Sequence, residues 1–149
     1  DSCGGNHDHQ YDMAQLSLIW PYNIVPRERA EEILRNIESR LIAPHGVLRF
    51  RGDNYAAHKG NTYLAPESLQ GWPMGFFWLS IIYSQRNNHE KTAEWFKRGC
   101  EQIVDGDKIP EMYVAGEPND HTPLAWAHAM ALIAWCKLPE EIRTRFLKK

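Results

Sequence analysis

Cysteine is scarce in this 149-residue chain: Cys3, Cys100 and Cys136 are too few and too widely spaced for a disulfide framework or a zinc-binding pattern. Reduced thiols are the expectation; they favour a cytoplasmic setting, but the sequence does not fix the compartment. No apolar run approaches the ~20 residues that span a bilayer, so no membrane partner is expected. The opening Asp1-Ser2-Cys3-Gly4-Gly5 lacks the charged-then-apolar layout of a signal peptide. Neither sign of charge prevails: 17 Lys and Arg stand against 19 Asp and Glu, a formal net charge of -2. They are interspersed, leaving no basic stripe of the kind a phosphate backbone requires, which excludes nucleic acid as an expected partner. What remains is ordinary in amount, with 43% hydrophobic and 24% charged residues, and supports one globular domain with a sizeable core.

The apolar residues fall into two kinds of helical segment. Tyr11 to Trp20, Trp72 to Tyr83 and Leu124 to Trp135 are apolar nearly all round, as expected of buried helices. Pro21 stops the first, and Thr122 with Pro123 reads as the cap and first turn of the third. Each is followed by an amphipathic or charged segment. The first opens at Pro26 and places Ala30, Ile33, Leu34, Ile37 and Leu41 on one face. The second is capped by Asn88, with Ala93, Phe96, Cys100 and Ile103 as its apolar stripe; Pro139 to Leu147 is a short closing helix. Inner helix, short link, outer helix, long loop, then the same again: the spacing predicts an all-α chain of about three inner/outer hairpins, part of an α/α toroid or solenoid, with an ordinary helical bundle as the alternative. The long connections, residues 42–71 and 104–121, then lie at one end. Long unstructured connections in compact domains are usually either functional or disordered, so any chemistry is expected at that end.

The first of these loops carries Gly46-Val47-Leu48-Arg49-Phe50-Arg51-Gly52-Asp53-Asn54-Tyr55, whose β-prone start and central glycine predict a small hairpin. Guanidinium, carboxylate and aromatic rings together suit sugars, whose hydroxyls need hydrogen bonds and whose ring faces rest on aromatic side chains. A surface ion pair beside a packed Phe is the plainer alternative. The second loop offers Glu111 behind Pro110, with Tyr113, Glu117 and Asp120 nearby; a lone loop Glu is more often simply solvated. Trp72 and Trp126 sit near the loop-facing ends of inner helices, as sugar platforms or as core.

Taken together, Leu48 to Tyr55, Trp72 opening an apolar helix, Ile109-Pro110-Glu111-Met112-Tyr113 and Pro123-Leu124-Ala125-Trp126-Ala127-His128-Ala129 resemble the C-terminal half of the glucoamylase-like family of inverting glycoside hydrolases. Asp12-Met13-Ala14-Gln15-Leu16 resembles the start of an inner helix of that family. The resemblance covers most of the chain. It implies a ring of six helical hairpins, of which three are here, and an exo-acting enzyme that releases terminal glucose from α-glucosides of the glucoamylase, glucodextranase or trehalase kind. It further implies Glu111 as the general base and Arg49 and Asp53 as the groups holding the terminal sugar, with Phe50, Tyr55, Trp72, Tyr113 and Trp126 completing the pocket. No metal or other cofactor is implied. The family commonly has Gln where this chain has Met112, Pro where it has Gly71 and Ser where it has Ala127, so the linkage cleaved stays open.

Inversion needs a second carboxyl group, which the family carries on an earlier hairpin; Glu67 is the one local substitute on the right loop. The expectation is therefore a C-terminal portion of a larger enzyme, inactive alone, whose partners are a glucose-containing saccharide and either the missing half of the ring or further copies of itself. Three other readings stand beside it. One is a catalytically silent carbohydrate-binding or regulatory toroid domain. Another is a metal site from Cys3, His7, Asp8 and His9. The last is a helical scaffold in which Arg49, Asp53 and Glu111 lie far apart.

Overall fold

The computed structural model describes residues 10–51, 53 and 70–148. They are mostly helical: α1 (Leu16–Ile19), α2 (Arg27–Arg40), α3 (Met74–Gln85), α4 (His89–Cys100), α5 (Ala125–Lys137) and α6 (Glu140–Leu147), with two short β-hairpins in the long connections.

The first helix is shorter than its apolar pattern predicts. The Asp12 carboxylate accepts from the Ala14 N–H at 2.7 Å and starts a 3-10 turn, Met13–Gln15, that runs into α1. Trp20 is already extended, because the ring of Pro21 disfavours a helical residue before it. Met13, Leu16 and Ile19 are buried and the rest of the segment is not. In α2, Pro26 stands just outside the helix, and Ala30, Ile33, Leu34 and Ile37 form the buried stripe, continued by Leu41. Its wet side carries the Arg27–Glu31 and Arg29–Glu32 pairs.

The central element is α3, in which every residue from Met74 to Tyr83 is buried. It packs against both α4 and α5. Asn88 caps α4 as expected, its side chain accepting from the Lys91 N–H at 3.1 Å. The stripe on α4 is different from the expected one: Thr92, Trp95, Phe96 and Gly99 are buried, whereas Ala93 and Cys100 are half-buried and Ile103 is exposed. Gly99 is the reason. A Cβ there would lie 2.6 Å from the Phe77 ring, so the missing side chain lets α3 and α4 approach along that line. Trp95 then stacks on Phe76 at 5.7 Å, and Phe96 meets Phe77 edge-on at 5.8 Å. Partial burial pushes the Cys100 thiol up to about 11, helped by nearby Glu101, while Cys136 is exposed; both are free thiols.

The start of α5 also departs from expectation. Thr122 does not cap it: its hydroxyl donates to the Asn119 carbonyl at 2.8 Å, and Leu124 occupies the cap position without a side-chain bond. Apolar nearly all round, α5 nevertheless buries only Ala127, Met130 and Ala134, and leaves Trp126 54% and Leu132 66% exposed. Proline 139 precedes α6, which docks through Ile142 and through Phe146, edge-on to Phe96 at 5.0 Å.

A hairpin forms at residues 42–47, while residues 52, 54 and 55 of the one expected within 46–55 lie outside the described residues. Strand β1 (Ile42–Ala43) pairs with β2 (Gly46–Val47), and Arg49 follows the hairpin rather than forming it. A second hairpin, β3 (Tyr113–Val114) with β4 (Glu117–Pro118), turns through Ala115 and Gly116, both with positive φ, as a two-residue hairpin turn requires. Residues 71 and 72 join the two hairpins: Val47 and Trp72 exchange backbone hydrogen bonds of 3.1 and 3.0 Å, and Gly71 and Tyr113 exchange bonds of 3.3 and 2.8 Å. The crossing is close enough to demand glycine, since a Cβ on Gly46 would lie 2.4 Å from the backbone of Trp72. This seam ties the two long connections together at the N-terminal end of α3.

Candidate functional site

The seam continues on both sides and decides where the site residues stand. On one side the Met13 N–H donates to the Arg49 carbonyl at 2.7 Å, and Asp12 bridges Phe50, so the start of the first helix lies against the 49–50 segment. On the other, Glu111 donates its N–H to the His121 carbonyl at 3.2 Å, and Leu124 donates to that of Ile109 at 2.9 Å, which fastens the second loop to the foot of α5. His128 strengthens that junction, its ring nitrogens lying 2.9 Å from the Leu124 and Asp107 carbonyls. Between these walls is a cavity of about 350 Å³.

Five of the residues singled out from sequence line this cavity: Arg49, Phe50, Trp72, Glu111 and Trp126. Asp53 stands behind them. Its carboxylate, 3% exposed, accepts from Arg49 Nε at 2.6 Å and from the second guanidinium nitrogen at 2.7 Å, a bidentate pair that fixes the plane of the guanidinium. The Arg49 guanidinium carbon also lies 5.0 Å from the Trp72 ring centre and 5.6 Å from that of Phe50, within cation–π range. Arg49 is thus held from two directions while 37% of its side chain stays exposed.

Glu111 is half-buried, and one oxygen accepts from Asn119 Nδ2 at 2.7 Å. The neighbouring acids expected from sequence play no part in this bond: Glu117 and Asp120 are exposed. Asn119 is placed for it because its own N–H donates to the Met112 carbonyl across the β3–β4 hairpin.

Tyr113 does not line the cavity. Its ring stacks on His45 at 4.5 Å and its hydroxyl donates to the Gln102 carbonyl at 3.1 Å, so it anchors the second hairpin to the end of α4. Burial, with a smaller contribution from Glu117, raises its phenol above the usual tyrosine range. Strict alternation would put Glu111 and Tyr113, two residues apart, on one face; the chain bends at Glu111 before β3 begins at Tyr113, and that bend turns the two side chains apart. Trp126 is well exposed at the cavity edge, 6.3 Å from Trp78, which is pinned by its own N–H donating to the Trp20 carbonyl at 2.8 Å. Tyr55 and Glu67 lie outside the described residues, as do Cys3, His7, Asp8 and His9. Among the described residues no group of three His, Cys, Asp or Glu is placed to hold a metal ion.

Sequence reasoning missed Asp12, Met74, Trp78 and Leu124 as cavity-lining residues. Asp12 carried a signal, a short acid directly before an apolar helix, which is also the signature of an ordinary cap. The scaffold alternative required Arg49, Asp53 and Glu111 to lie apart; Arg49 and Glu111 line one cavity, and Asp53 is bonded to Arg49.

A second, more open depression of about 650 Å³ lies at the other end of α3. There Glu31 accepts from Arg27 and Arg86, and Glu38 from Tyr83 and Lys91. Each of its carboxylates takes two donors, an arrangement that knits α2 to the α3–α4 turn.

Comparison with protein-family models, with curated proteins and with solved structures finds no match to this chain.

Proposed function

We propose that this chain is the C-terminal half of an exo-acting, inverting glycoside hydrolase of the glucoamylase-like kind, acting on terminal glucose of α-glucosides. The observation that carries the reading is the meeting of Glu111, Arg49, Trp72 and Trp126 around one cavity, although they come from two separate loops and the ends of two helices. Charged groups that position hydroxyls, beside rings that cover apolar sugar faces, are the mixture carbohydrate recognition requires.

In this reading Arg49, its guanidinium held in place by Asp53 behind it, binds the terminal sugar's hydroxyls, and Glu111 takes the proton from a water as its oxygen attacks the anomeric carbon. The glycosidic C–O bond breaks, and the leaving oxygen receives a proton from a second carboxyl group on the opposite face, roughly 6.5–9.5 Å from the base in inverting enzymes. That acid belongs to the other half of the ring. The Asn119 hydrogen bond orients the Glu111 carboxylate and leaves its second oxygen for water.

Exposure of α5 supports the half-ring. A helix apolar all round is normally covered all round, yet Trp126 and Leu132 face outward here. The remaining hairpins, or a second copy of the chain, would cover that stripe. The isolated chain should therefore sediment as a dimer or larger at micromolar concentration, and a clean monomer would count against an incomplete ring.

The functional test is titration of the 149-residue chain with D-glucose, followed by tryptophan fluorescence, since Trp72, Trp78 and Trp126 all line the cavity. Saturable binding with a Kd of order 1 mM, about 4 kcal/mol, is expected, together with no hydrolysis of maltose, isomaltose or trehalose. Failure to bind glucose would sink the carbohydrate reading. Hydrolysis abolished by Glu111→Gln would instead overturn the placement of the acid outside this chain.

A further inference from the structure

We infer that Asp12 is a substrate-binding residue of the same cavity, its carboxylate accepting a hydrogen bond from a sugar hydroxyl. The inference rests on the carbohydrate reading above and adds a second carboxylate to the site. Asp12 lines the cavity together with Glu111 and Arg49. It is half-buried in extended backbone and is held by its antiparallel bridge to Phe50, to which the bond from Met13 N–H to the Arg49 carbonyl belongs.

One oxygen of the carboxylate is committed to the Ala14 N–H at 2.7 Å. That bond sets the side-chain rotamer. The other oxygen has no hydrogen-bond partner among the described residues, and an ionised carboxylate offers about four acceptor positions in all. The charged groups around the cavity are therefore unequal in what they need. The Arg49 guanidinium has a matched acid in Asp53, whereas neither Asp12 nor Glu111 is ion-paired among the described residues. Both await donors. A polyhydroxylated, uncharged ring supplies such donors, and the Phe50, Trp72 and Trp126 rings take its apolar faces. Glu111 is assigned the water, so the free oxygen of Asp12 falls to a hydroxyl of the bound sugar.

The double duty of Asp12 supplies the test. Asparagine is an equally good cap, so Asp12→Asn should keep the turn by leaving its only oxygen on the Ala14 N–H. Its amide NH2 then faces the cavity, and a donor replaces the acceptor. Asp12→Ser also keeps a capping oxygen but withdraws the second oxygen from the cavity altogether. D-glucose titrations of the full chain should show affinity lowered about tenfold in both variants, the usual cost of losing a hydrogen bond to a charged group. Thermal melting should be nearly unchanged. Wild-type glucose affinity in the folded Asn and Ser variants would overturn the role of Asp12 and leave the sugar site standing. Absence of glucose binding in the wild-type chain would overturn both.

Discussion

Arg49→Ala should lower folding stability by about 2–4 kcal/mol and abolish glucose binding. The stability loss comes from Asp53, whose carboxylate is 3% exposed and whose bidentate partner disappears. Removing one member of a fully buried pair costs about 3–5 kcal/mol; the figure is lowered here because the arginine side chain is 37% exposed and partly screened by solvent. Arg49→Lys should recover little, since an ammonium cannot reproduce the planar fork and does not lie flat on the Trp72 ring. The double variant Arg49→Ala with Asp53→Ala should be more stable than the single arginine variant, because the buried acid that lost its guanidinium is then gone as well. Urea denaturation measures all three. A single variant within about 0.5 kcal/mol of wild type would mean that the pair does not organise the loop.

Gly46→Ala should be as damaging, at about 3 kcal/mol or more, the upper end of what overpacking costs. The new Cβ would fall 2.4 Å from both N and C of Trp72 and 2.6 Å from its carbonyl oxygen, and these are backbone atoms that cannot rotate away. The clash would force apart β2 and the 71–72 segment, breaking the Val47–Trp72 exchange that holds the first loop against the foot of α3. Glucose binding should fall with stability even though Gly46 lies outside the cavity lining. By contrast, Gly106→Ala meets nothing within 4 Å, and its only penalty is its positive φ, so a far smaller loss is expected there. Thermal melts of the two variants side by side decide it. Equal, small shifts would show that the crossing is looser than its distances.

Both predictions concern contacts that the sequence alone could not have located. Arg49 and Asp53 are four residues apart and could be guessed as a pair, but nothing local says that the acid is buried and the cation faces a cavity. Gly46 is one loop glycine among several in the chain. Its close approach depends on Trp72, which no pattern in residues 42–55 contains. The α4 stripe is similar: hydrophobicity favours Ala93, Cys100 and Ile103, while the contact line runs through Thr92 and Gly99 because a glycine creates space that a hydropathy pattern counts as nothing.

Legibility therefore follows the range of the interaction. The helices, their order and the Asn88 cap are determined by contacts within a few residues, where periodicity and cap chemistry act directly, and they were readable from the chain itself. The same local logic singled out the two long connections, while the roles expected of Arg49, Asp53 and Glu111 within them came from the resemblance and not from any local pattern. Only the tertiary structure decided that Tyr113 turns to His45 and Gln102, that Asn119 holds Glu111, and that Asp12 joins the cavity. Those outcomes depend on backbone hydrogen bonds between segments far apart in sequence, from Met13 to Arg49, Val47 to Trp72 and Gly71 to Tyr113. A backbone N–H or carbonyl is the same in every residue that has one, so such pairings leave almost no mark on the sequence, and it is they that bring the site together.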